Sequence, residues 1–527
     1  MRHAQIFSAW KIGYKPFEEA GSDNVILATP NGNILWTADD TVIHQLFTLH
    51  PKIDQPIELV KFFEIWGPTI SSVGGDEWKA HRKAVSAGFG GAMNARVWQE
   101  SQRQTESLGA YWLENDTLIP DIRKWTSKLA LHVISSGFFN KRLDWRDQGT
   151  AKEIPSGHEW TFDKALFTML DRLAIIFMTP RIVLSRLPGQ ASHEAYTAYT
   201  EMTKYLEELQ AGVTDDIQAL ANKRDKTILG EFINVHLARS VWSTDLRPEA
   251  IVISAADPEI TGKTSLPKAS VTGNIFFTLL AGHETTGSTL GFACTLLAVY
   301  PEYQRRMQDQ LDKQFGNRPP RDWNVERDFL PLQRGYIGAI QKEVLYLYNP
   351  ASFIMRKSVV PVTLSDSKGE SHQIPPDTLT LINNAAAARN PHQWKKPQVS
   401  PQRSAELSDS PALYFNPDRW LGTDDKPDEV SGTSQIPSWS AFAAGGRACP
   451  GRAFAQIEMT AVMATLFKQY SLELAVDDAL LQRKQGNFQA AWEETRDKGI
   501  KMLYDDIKAN ISIGLAKDLP IRVSKRS

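Results

Sequence analysis

One stretch near the C-terminus constrains this chain more than any other: Phe442-Ala-Ala-Gly445-Gly446-Arg447-Ala-Cys449-Pro450-Gly451, followed by Arg452-Ala-Phe454-Ala. Glycines at 445 and 446 let the backbone approach a flat ligand more closely than side chains would allow. Helical periodicity takes over at roughly Gly451 and runs to Tyr470, which puts Cys449 at a helix start. Pro450 then falls near the first helical position, where a missing N–H does no harm. Unpaired backbone N–H groups and the helix dipole favour a thiolate there, the form in which cysteine binds a metal. Arg447, two residues away, can pair with an anionic group of the ligand. From the loop alone two other readings stay open. One is a glycine-rich turn with an incidental cysteine. The other is a phosphate loop, against which stands the missing Gly-Lys-Ser/Thr ending.

The rest of the chain narrows the choice. Its 527 residues contain no linker, repeat or charge block that would divide them, so one catalytic domain over 1–527 is expected, with 1–23 as a lead-in. Lysine and arginine number 59 against 61 acidic residues, a net charge of −2, which removes bulk nucleic-acid binding from the candidates. There are 2 cysteines, too few for a tetrathiolate zinc site and in keeping with a reduced, intracellular setting. Cys294, in the apolar run Gly291-Phe-Ala-Cys-Thr-Leu-Leu, reads as a buried, inert thiol. No run approaches the roughly 18 apolar residues of a spanning helix. The start, Met1-Arg-His-Ala-Gln-Ile-Phe, reads as neither signal peptide nor anchor.

Periodicity divides the chain coarsely. Residues 24–37 read as two short strands around Pro30-Asn31-Gly32, and 40–350 as mostly helical, interrupted by loops at 67–76 and 254–268. Residues 351–382 return to strand-like pieces. Residues 390–448 form a long Pro- and Ser-rich stretch leading to Cys449, and the end, 511–523, is strand-like. The expected class is mainly α with a small β region.

Four further patterns carry chemistry. Ala281-Gly282-His283-Glu284-Thr285-Thr286 lies inside a helical run, where Phe277, Ala281 and Thr285 share a face. An acid beside a hydroxyl can hold and pass protons; the bland reading is a helix with polar residues in solvent. His283 has no histidine at i+4 and reads as an ordinary polar helix residue. Trp78 and Arg82 are spaced to share one helical face, and Lys79 and Lys83 form a basic stripe beside them, a solvated face or a docking surface. Ser352-Phe353-Ile354-Met355-Arg356 reads as a strand whose arginine either reaches a ligand or sits in solvent. Glu343 precedes Tyr346 by one helical step, and Arg419 follows in Phe415-Asn-Pro-Asp-Arg-Trp420.

Together these residues resemble the cytochrome P-450 family. The cysteine loop has its Phe-x-x-Gly-x-Arg-x-Cys-x-Gly signature at every fixed position, and the resemblance covers roughly residues 24–523. It implies the cytochrome P-450 fold and haem b (iron protoporphyrin IX), with Cys449 as the axial iron ligand within a loop bounded by Phe442 and Gly451. Trp78, Arg82, Arg356 and Arg447 become partners of the haem propionates, and Glu284 and Thr285 the proton-delivering pair. It further implies O2 and NADPH-derived electrons from an NADPH–cytochrome P-450 reductase, peripheral contact with the endoplasmic reticulum, and a small, largely apolar substrate against Phe277, Ala281 and 352–354. The style of the chain is most like fungal members, many of which act in secondary metabolism. One position departs from the family, which carries Glu-x-x-Arg where this chain has Glu343-x-x-Tyr346. The expectation is that Glu343 pairs with Arg419, that the Tyr346 hydroxyl replaces the lost cation, and that Tyr346→Arg rebuilds the network. The departure keeps a non-catalytic relative open as an alternative, beside a haem-thiolate isomerase or dehydratase. The intact Glu284-Thr285 pair favours the monooxygenase.

Overall fold

Strand alternation across 24–37 stops at Pro30-Asn31-Gly32, and the chain doubles back there. Strand β1 (Asn24–Thr29) pairs antiparallel with β2 (Gly32–Thr37), Asn24 facing Thr37. The computed structural model describes residues 9–30, 32–89, 91–139, 142–145, 154–222, 266–392, 415–423, 426–430, 441–509, 512–517 and 519–526. Much of the expected 390–448 stretch, and most of the 254–268 loop, lie outside the described residues. The chain forms two compact units, one of Met1–Pro56, Asn94–Val133 and Gly282–Ser527, the other of Ile57–Met93 and Ile134–Ala281.

The first unit holds the sheets. With β3 (Ile53–Asp54), β4 (Ile354–Ser358) and β5 (Leu379–Ile382), the hairpin forms a five-stranded sheet in the order β1-β2-β5-β4-β3, parallel only between β2 and β5. A smaller antiparallel sheet joins Leu118–Ile119, Ile521–Lys525 and Tyr470–Leu474. Strands β6 (Ile507–Ala509) and β7 (Ile513–Leu515) make a separate hairpin.

Six helices matter for the site: α1 (Asp40–Thr48), α2 (Gly75–Ala87), α3 (Ile122–Phe139), α4 (Lys268–Val299), α5 (Tyr336–Leu347) and α6 (Arg452–Gln469). Asp39 caps α1, its carboxylate accepting the Val42 N–H at 3.0 Å. Val42, Ile43, Leu46 and Phe47 of α1 then pack on Ile53, Val362, Leu364 and Ile382. From Thr286 to its end α4 is buried on every side. Its backbone meets α3 closely. A Cβ at Gly287 would stand 2.4 Å from Ser127 Cα, and the Thr126 hydroxyl donates to the Gly287 carbonyl at 2.7 Å. An 18-residue helix, Phe488–Asp505, lies in a stretch to which the expectations above assign no element.

In the second unit, Trp78 of α2 packs with Ile70, Val73 and Val85. Asn274 ties this region together. Its Oδ1 accepts the Ile70 N–H at 2.8 Å and its Nδ2 lies 2.9 Å from His81 Nδ1. Burial holds the His81 pKa below its ordinary value.

Candidate active site

The cysteine loop is closed by its own backbone. The Cys449 N–H donates to the Phe442 carbonyl at 2.9 Å and the Ala448 N–H to that of Gly445 at 3.1 Å. Gly445 has a φ of 68°, and a Cβ there would meet the Phe47 carbonyl oxygen at 1.9 Å, so only glycine fits. Ala443 is also left-handed, at φ 55°. Helix α6 starts at Arg452 with Gly451 as its N-cap, so Pro450 precedes the cap instead of occupying the first helical position. Cys449 is exposed in front of that helix end. Cys294 is the opposite case: it is buried, and burial pushes its thiol pKa up to about 12.

Beside the loop, two guanidinium groups share one carboxylate. Arg447 binds Asp54 in bidentate fashion, Nε to Oδ1 at 2.8 Å and Nη2 to Oδ2 at 3.1 Å. Arg356 of β4 is buried, donates to its neighbour Met355's carbonyl at 2.9 Å, and lies 5.3 Å above the Phe47 ring. Burial, and then the charge of Arg447, hold its pKa down to about 10, with Asp54 opposing them. Among the described residues Arg356 has no carboxylate of its own, so guanidinium charge gathers where the sequence puts the cofactor's acidic groups. An exposed thiol, a loop that excludes side chains and this surplus of guanidinium charge fit a flat, iron-bearing, carboxylate-bearing cofactor.

On α4, Thr285 is exposed while His283, Thr286, Ser288 and Thr289 are buried. His283 is thus a buried polar residue of the helix, and the described acid–histidine cluster with metal-binding spacing, Asp366, Glu370 and His372, does not include it. Glu284 turns its Oε1 to two donors. Arg123 Nη2 and Ser512 Oγ both lie 2.7 Å away, and neither was legible in the sequence.

Glu343 pairs with Arg419 as expected, at 2.9 Å, but Tyr346 acts differently from the expectation. The carboxylate of Glu343 also takes the Asn416 N–H and the Trp420 indole N–H, each at 2.7 Å. Burial raises its pKa, and Arg419 heads the groups that oppose the rise. Tyr346 instead presents its ring. Arg419 sits 5.1 Å above its centroid and Trp420 meets it edge-on at 6.0 Å. Three donors already serve Glu343, and Arg389 contributes a further buried positive charge near Tyr346. An arginine at 346 would add a cation where cations are already plentiful. Further along α6, Glu458 is wholly buried with neither oxygen hydrogen-bonded among the described residues, and burial drives its pKa well up.

Trp78 is buried and Arg82 half-buried on α2. Lys79, next to them, is exposed and paired with Asp76 at 2.7 Å, which suits a solvated face.

Comparison with known proteins gives this arrangement its class. The cytochrome P450 family model matches residues 66–498, and the chain belongs to that family. A cytochrome P450 monooxygenase of Arthrobotrys oligospora is 27% identical over 493 residues, covering 91% of this chain and 81% of its own. The phomenoic acid biosynthesis cluster cytochrome P450 monooxygenase of Leptosphaeria maculans is 23% identical, covering 93% and 82%. The crystal structure of the cytochrome P450DA heme domain superimposes with a TM-score of 0.68 at 15% identity, over 100% of this chain and 97% of that one. The protein is a cytochrome P450 monooxygenase, an oxidoreductase of mainly helical fold. The family implies haem as cofactor and a redox partner as electron source.

Proposed function

We propose that this protein inserts one oxygen atom of O2 into a small, largely apolar organic molecule in secondary metabolism, with NADPH-derived electrons from a cytochrome P-450 reductase. The observation that carries the reading is the exposed Cys449 thiol, held by the Gly445 loop at the head of α6. Bound haem supplies reductive activation of dioxygen, favoured by thiolate donation. The chain supplies the rest. Cys449 Sγ would ligate the iron within the loop bounded by Phe442 and Gly451, and Arg356, Arg447, Trp78 and Arg82 would bind the propionates. Glu284 and Thr285 hold and move protons. Phe277, Ala281 and 352–354 offer apolar surface to the substrate.

Residues 1–527 act as one catalytic domain in this reading, since the family match draws on both compact units. The protein faces the cytoplasm and touches the endoplasmic reticulum peripherally. Among the described residues no helix is long and apolar enough to cross a membrane, while Phe62, Met178 and Ile182 are exposed. The test is spectroscopic. Cys449→Ser should abolish the reduced, carbon-monoxide-bound band of a thiolate-ligated haem and Cys294→Ser should retain it. Retention by both would remove Cys449 as the ligand.

A further inference from the structure

Glu284 is held by residues that no sequence motif points to. Arg123 comes from the first turn of α3 and Ser512 from the turn between β6 and β7. With Glu284 they close a triangle: Arg123 Nη2 and Ser512 Oγ each stand 2.7 Å from Oε1, and 3.1 Å from one another. Both donors engage the same oxygen. Among the described residues, Glu284 Oε2 accepts no hydrogen bond, so one oxygen is anchored and the other is available to take and release a proton.

The arginine sits in a slot made for it. A Cβ at Gly514 of β7 would meet Arg123 Nη1 at 2.3 Å, and one at Gly291 of α4 would meet Arg123 Cα at 3.2 Å. Gly514 does not have a left-handed φ, so backbone freedom is no reason for glycine there. The space goes to the guanidinium. On its outer side Arg123 lines a surface cleft with Asp121, Ser288, Thr295, Lys508 and Lys517. Arg123 and Glu284 keep 24% and 15% of their side-chain surface exposed, which puts the pair where solvent meets the interior.

We propose that Arg123 and Ser512 are positioning residues that hold Glu284 behind the Arg123 wall of this cleft, and that protons for the reaction enter from it past Arg123. This rests on the monooxygenase reading above. The overall reaction, R–H + O2 + 2 electrons + 2 protons giving R–OH + H2O, consumes protons that must come from solvent, with NADPH as the reductant. Water in the cleft protonates Glu284 at Oε2, Glu284 passes that proton to the Thr285 hydroxyl, and Thr285 passes its own toward the reacting oxygen. Glutamate has rotatable bonds to spare, and two charge-assisted or polar donors on one oxygen remove that freedom. Arg123 thus sets the aim of the acid without touching substrate or cofactor.

The experiment uses the haem-loaded protein with a cytochrome P-450 reductase and NADPH, and no organic substrate, so the unidentified substrate is not needed. Arg123→Ala, and Gly514→Ala, which displaces the guanidinium without removing it, should slow NADPH consumption about tenfold. Both should also enlarge its solvent isotope effect and raise the peroxide released per NADPH. Ser512→Ala should shift the same readings less, and Arg123→Lys should restore them in part. As a readout apart from turnover, urea unfolding of Arg123→Ala, Glu284→Gln and the double variant should show the two residues coupled. An unchanged rate and isotope effect in Arg123→Ala overturns the proposal. So does slower turnover with an unchanged isotope effect, which would make Arg123 a structural residue only. A parent protein that lacks the thiolate band fails earlier, and that outcome strikes the monooxygenase reading itself.

Discussion

Two charge clusters in the same unit are built to opposite ends. Around Glu343, one carboxylate receives Arg419, the Asn416 N–H and the Trp420 indole, and Tyr346 covers the guanidinium with its ring. Around Asp54, one carboxylate serves Arg447 while a second buried cation, Arg356, stands nearby, its pKa held down first by burial and then by the charge of Arg447. The first cluster is satisfied by protein alone. The second carries a surplus that an anionic ligand would neutralise. A network that completes itself should act on stability whatever is bound, and an unbalanced one should act on stability according to what is bound.

The sharpest way to break this contrast is Glu343→Ala. It leaves Arg419 buried without its carboxylate and should cost about 3–5 kcal/mol. Denaturant unfolding should show nearly the same loss with and without haem, and a loss confined to the loaded protein would place Glu343 in the cofactor site. Asp54→Asn comes next. Removing the acid between two guanidinium groups should destabilise the haem-free protein by about 1.5–3 kcal/mol. The loaded protein should lose less, because the cofactor's carboxylates take over the neutralising role. Equal losses in both forms would mean that Arg356 and Arg447 do not face the cofactor. The smallest effect is expected at Tyr346→Arg, which should lower the melting temperature, equivalent to about 1 kcal/mol or more. A rise, coupled to Glu343 in a double-mutant cycle, would show that the tyrosine had left the network incomplete.

What could be read in the sequence followed from local rules. The Gly445 turn was legible because close backbone approach demands glycine. The β1–β2 hairpin was legible because Pro30 and Gly32 interrupt an alternating pattern. The ion pair of Glu343 with Arg419 was carried by the family motif. The donors at Asn416 and Trp420 were not, since they depend on how the short 3-10 turn Pro417–Trp420 lies against α5. Tyr346 was misjudged for a related reason: spacing puts a side chain on a face but does not say whether its ring or its hydroxyl meets the neighbour. Arg123 and Ser512 reach Glu284 across 161 and 228 residues, and no periodic signal spans such distances.

Glu458 adds a consequence that belongs to folding itself. Wholly buried and without a hydrogen-bonded partner among the described residues, it keeps its proton in the native chain at pH values where a solvated carboxyl, with its ordinary value of 4.5, has lost it. Folding in that pH range therefore takes up a proton from the buffer. Because the native pKa is raised, the stability linked to this group is fully present below the unfolded value and declines as pH rises above it. The decline is at most about 1.4 kcal/mol per pH unit until the native pKa is reached. The calorimetric heat of unfolding should accordingly vary with the ionisation enthalpy of the buffer chosen, and Glu458→Gln should remove that part of the variation.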